Sequence, residues 1–130
     1  MAGAQDLFED YRARIGHFAP VSVAGRAPEP AKRSAALIWL CHPGKSARMF
    51  SSENLAQMLE KYLTSGVREW QIGIGGADGF SDEYLRSSAP DVLWSLGPAT
   101  LPHELAAVVA SEQIYRAFTI LKKLPYHSGH

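Results

Sequence analysis

Three groups of residues in this sequence have the types and spacing to do chemistry. The first is a glycine turn, Ile74-Gly75-Gly76-Ala77-Asp78-Gly79. Glycines after an apolar strand let a ligand reach the main chain without a Cβ in the way. A tight strand-to-helix turn asks for the same residues. The second is the apolar stretch Leu96-Gly97-Pro98-Ala99-Thr100-Leu101. Its amides and carbonyls can hydrogen-bond an adenine edge while Leu96, Ala99 and Leu101 pack the faces. A buried crossover would have a similar composition. The third group could move a proton. His103 stands in the first turn of a long helix, where the helix N-terminus disfavours a charged imidazole. It reads as a general base, a phosphate contact or a buried, hydrogen-bonded residue. Tyr126 and His127 follow Pro125 near the end of the chain. They are either a frayed terminus or a cover over a pocket.

Spacing removes several familiar sites. A dinucleotide fingerprint needs G-x-G-x-x-G, and Gly73 and Gly75 fit, but Asp78 stands in the third position. Gly44-Lys45-Ser46 has the ending of a P-loop, yet Trp39 stands where its first glycine belongs. There is no G-x-S-x-G nucleophile elbow. Cys41 and His42 are adjacent, with no second Cys-His pair at zinc spacing, so no metal is expected. Glu112 and Arg116, four apart, predict an intrahelical ion pair. Tyr115 and Phe118 read as core or interface.

The elements that must position these residues follow from periodicity. Leu7, Phe8, Tyr11 and Ile15 recur at helical spacing. Residues 20–24 make a short strand candidate, and 25–34 a loop containing Pro28 and Pro30. The run 35–41, Ala-Ala-Leu-Ile-Trp-Leu-Cys, suits a strand covered on both faces. Ser51 or Ser52 caps a helix with Leu55, Met58, Leu59, Tyr62 and Leu63 on one face, ended by Ser65-Gly66. Strand 69–74 stops at the glycines. Ser81 caps a short helix over 82–88, a strand follows at 91–94, and a long helix runs from 101 to about 123. Pro102 falls in the first turn of that helix and Lys122-Lys123 in its last. This alternation predicts an α/β fold with a mostly parallel sheet.

At 130 residues the chain is expected to be one domain, 1–130. Its 13 basic and 13 acidic side chains cancel, which excludes a strongly basic nucleic-acid binder but not a local basic patch. The single cysteine suits a reducing cytosol and hence a cytoplasmic protein. No apolar run approaches the ~18–20 residues that would span a membrane.

Taken together, these residues resemble the SPOUT-class 23S ribosomal RNA pseudouridine-N3 methyltransferases, the large-subunit methyltransferase H family. The resemblance runs from about Leu7 to His127. It is strongest in Ile74-Gly75-Gly76-Ala77-Asp78-Gly79, Leu101-Pro102-His103-Glu104-Leu105, Glu112-Gln113-Ile114-Tyr115-Arg116-Ala117 and Pro125-Tyr126-His127. Leu40, Gly44-Lys45 and Ser51-Ser52-Glu53 also fall where that family has similar residues.

The resemblance implies a SPOUT-type trefoil knot with helices on both faces of the sheet. It implies S-adenosyl-L-methionine (SAM) bound in the knot, a homodimer with its sites at the subunit interface, and a pseudouridine of large-subunit rRNA as substrate. Family cofactor contacts carry over to Leu40, Gly75, Leu96, Gly97, Pro98, Ala99, Thr100 and Leu101. Removal of the N3 proton would make N3 the nucleophile toward the methyl group, with His103, Tyr126 and His127 as candidate bases. An uncharged protein is compatible with that substrate, because rRNA is read largely by shape.

The sequence departs from the family in three places. The family opens with an apolar strand ending in Val-Gly before the first helix; here the sequence begins at the helix, so either the sheet has lost that strand or the start is misassigned. The basic segment near 26–34 is shortened. Ser128 stands where the family has Arg or Lys after Tyr-His. A missing cation there leaves two alternatives open: a SAM-binding or ribosome-binding relative with impaired transfer, or a SPOUT enzyme for another RNA.

Overall fold

The computed structural model describes residues 2–20, 36–43, 46–75, 79–97 and 101–125. The apolar run becomes strand β1, Ala36–Cys41. Strands β2, Glu69–Ile74, and β3, Val92–Trp94, flank it in the order β2-β1-β3, and both pair with it in parallel. A central parallel strand needs apolar residues on both faces. Ile38, Trp39 and Leu40 are accordingly all fully buried. Strand alternation separates them. Trp39 and Cys41 point into the main core with Leu55, Leu59, Ile114 and Phe118, while Ile38 and Leu40 face the other way.

The helices are α1, Ala2–Ile15, α2, Ser52–Thr64, α3, Asp82–Ser88, and α4, His103–Leu121. The Ser51 hydroxyl accepts the Asn54 N–H at 3.1 Å and caps α2. Ser81 caps α3 in the same way through Tyr84 N–H. Each such cap contributes about 1 kcal/mol. α4 packs against α1 and α2. Phe118 on α4 stacks on Phe18 with centroids 5.1 Å apart. Tyr115 lies against Tyr11 and Phe18, so both aromatics of α4 belong to the packing. Glu112 and Arg116 pair at 2.7 Å, as their spacing predicts.

The α/β class and the parallel sheet agree with the sequence; the described residues do not themselves trace a knot. Four local expectations change. Leu7 is 48% exposed, and Ala4 takes the buried place on α1. Asp91 precedes β3 instead of opening it. Its carboxylate accepts the Ile38 N–H at 2.8 Å while its own N–H donates to the Ile38 carbonyl, so a side chain completes the ladder. Pro102 is the N-cap of α4, its carbonyl accepting the Ala106 N–H, and His103 is the first helical residue. Lys122 and Lys123 lie just past the last turn, Lys123 with φ +56°. The strand candidate at 21–24 and the loop at 25–34 fall outside the described residues.

Candidate cofactor site

Parallel pairing makes the three strands end level. Cys41 lies opposite Ile74 on one side and Trp94 on the other. The next residues, His42, Gly75 and Ser95, therefore form one carboxyl rim. In open α/β sheets, ligands bind outside this edge of the strands. Gly75, Leu96 and Gly97 are distant in sequence, and the fold gathers them along this rim. Leu40 lies two residues below it.

Gly75 is held tightly. A Cβ there would come within 3.0 Å of the Gly79 backbone and 3.1 Å of the Phe80 ring. The glycine lets its own loop fold back, in addition to any room it leaves a ligand. Gly97 is the opposite case. Its φ is +133°, a conformation that glycine favours, and a Cβ would meet no described atom within 4 Å. No described atom crowds its Cα. Ser95 fixes this turn: its hydroxyl accepts the Gly97 N–H and donates to the Gly97 carbonyl, both at 3.3 Å. The uncrowded Gly97 Cα beside apolar Leu96 suits packing against an adenine-bearing cofactor.

A pocket of about 200 Å³ adjoins the rim, lined by Met49, Phe50, Trp94, Ser95, Leu96 and Gln113. The segment that lines it is fastened to β3. Arg48 N–H donates to Leu93 O and Ser95 N–H donates to Arg48 O, each at 2.8 Å. Nothing in the local composition signals that Arg48 pairs with a strand more than 40 residues later.

The remaining site residues are placed as follows. Leu40 is fully buried, so a cofactor contact there falls on its backbone or needs neighbours to move. Leu101 is half-buried just before α4. His103 is exposed, which removes its reading as a buried residue. Pro98, Ala99, Thr100, Tyr126 and His127 lie outside the described residues. Cys41 is buried, and desolvation pushes its thiol up to about 12, so it is a core thiol and not a nucleophile. Among the described residues, no group of three or more His, Cys, Asp or Glu is placed to hold a metal ion, and no helix is long and apolar enough to cross a membrane.

The family model described as predicted SPOUT methyltransferase matches residues 26–127. The chain belongs to the SPOUT methyltransferase family. Curated relatives agree with that placement over most of their lengths. A protein of Koribacter versatilis named ribosomal RNA large subunit methyltransferase H is 44% identical, the alignment covering 97% of this chain and 89% of the relative. Proteins of the same name from Deinococcus deserti and a Methylobacterium species are 41% and 38% identical. Those alignments cover 92% and 96% of this chain and 86% and 89% of the relatives. The resemblance drawn from the glycine turn, the long helix and the Pro-Tyr-His tail is borne out. As a SPOUT methyltransferase, the chain is an enzyme.

Proposed function

We propose that this SPOUT methyltransferase uses SAM to methylate N3 of a pseudouridine in 23S rRNA of the large ribosomal subunit. The observation that carries the reading is the common rim: Gly75, Leu96 and Gly97 converge at the carboxyl edge of one parallel sheet. The stretch 96–101 would hold the adenine end through its backbone, with Gly75 and the end of β1 across the rim. When bound, the cofactor supplies an electrophilic methyl group on a sulfonium. The chain's own tasks are to orient the base, exclude water and accept or stabilise the proton of the imide N3–H. His103, Tyr126 and His127 are the residues proposed for that role.

The family's knot goes with this reading. In its support, β3 lies between β1 and Arg48, that is, between two consecutive earlier segments. A cytoplasmic homodimer with large-subunit or 70S rRNA as partner completes the proposal.

Ser128 favours a second reading, a relative that binds SAM or the ribosome without methyl transfer. Labelled SAM incubated with ribosomes from a strain lacking the endogenous enzyme separates the two. Incorporation into 23S rRNA supports methyl transfer. Calorimetric SAM binding with no incorporation into 70S particles or large subunits supports the second reading.

A further inference from the structure

His42 is the first residue beyond β1, on the rim itself, and neither the family motifs nor the proposed chemistry uses it. It is half-buried between two neighbours. Its N–H donates to the Trp94 carbonyl at 3.1 Å, anchoring it to the end of β3. Its ring Nδ1 accepts the Phe80 N–H, also at 3.1 Å, reaching the far side of the glycine turn. The imidazole also lies nearly parallel to the Phe80 ring, with centroids 6.4 Å apart and planes 23° from each other. Gly79, with φ +76°, brings its Cα so close that a Cβ would overlap His42 and come within 2.7 Å of Pro43 Cδ. Gly79 and Phe80 in turn press on Gly75. One residue thus links the ends of β1 and β3, through its backbone N–H, to the turn that follows β2, through its ring.

We propose that neutral His42 is the positioning residue of the cofactor turn: by accepting the Phe80 N–H it holds Gly75 and Gly79 in the conformation that binds SAM. The inference rests on the cofactor reading given above. Its physical basis is that Nδ1 accepts only while it carries no proton; a charged imidazole has donors alone. Protonation therefore leaves the half-buried Phe80 amide without its acceptor.

The test compares wild type with His42→Asn and His42→Ala. Asparagine offers a carbonyl oxygen near the place of Nδ1 and does not titrate. SAM affinity, measured by calorimetry at pH 8, is expected to stay within about twofold of wild type in His42→Asn and to fall about five- to tenfold in His42→Ala, the size of one lost hydrogen bond. In ¹⁵N-labelled protein without cofactor, the Phe80 amide shift should move in His42→Ala and stay close to wild type in His42→Asn. Equal affinity in wild type and His42→Ala, or a fall shared by His42→Asn, overturns the inference while leaving the cofactor reading intact. A Phe80 amide indifferent to His42→Ala also overturns it. No SAM binding by wild type at pH 8 overturns the cofactor reading, and the inference with it.

Discussion

Gly75 and Gly97 are both rim glycines, and they are glycines for different reasons. Gly75 lacks room because Gly79 and Phe80 fold against it; Gly97 has room and a positive φ. A branched side chain at Gly75 must therefore displace the loop as well as any ligand. Gly75→Val should weaken SAM binding at least tenfold and cost about 1–3 kcal/mol of stability, through overpacking. Calorimetry and urea denaturation read the two effects, and unchanged SAM affinity would put the site elsewhere. Cys41 yields a second expectation. Its thiol is held near 12 in the fold against an ordinary 9.0. The folded state binds that proton more tightly, so this stabilisation is whole below about pH 9 and is lost as pH rises toward 12. At pH 8 a disulfide reagent should leave Cys41 unmodified in the native protein and react with it in urea.

Among the elements, β1 was the most legible, because seven consecutive apolar residues suit little besides a strand buried on both faces. The serine caps of α2 and α3 were equally legible, since capping is decided within three residues. What could not be read locally is what the chain does across long separations. Asp91 looks like a turn residue, yet its carboxylate serves Ile38, 53 positions away. His42 meets Phe80 across 38 positions. Leu7 has the right helical phase for the core, but α1 sits against α4 through Ala4 and Ile15, which leaves Leu7 at the margin. The glycine turn and the stretch 96–101 are legible as motifs, whereas the meeting of Gly75 with Leu96 and Gly97 on one rim depends on strand register. Asp91→Ala removes the acceptor of a backbone N–H in the central strand. It should cost about 1–2 kcal/mol in chemical denaturation. A loss below a few tenths would mean that the ladder closes without the carboxylate.

For the whole molecule, the proposed division of labour is between a rim for the cofactor and a terminus for the RNA. A chain of 130 residues with zero net charge has little overall electrostatic hold on nucleic acid, so shape and placement must carry much of the recognition. Deletion of 126–130 should abolish methyl transfer to ribosomes while leaving SAM affinity within about twofold; loss of both, or of neither, contradicts that assignment. Sedimentation should give twice the 14.2 kDa chain mass if the family's dimer forms. The central claim is the reaction itself, and nucleoside mass spectrometry of large-subunit rRNA tests it most directly. After incubation of SAM with ribosomes from a strain lacking the endogenous enzyme, 3-methylpseudouridine should appear in 23S rRNA only when the protein is present. Unmodified pseudouridine, or a methyl group on a different nucleoside, would contradict the account.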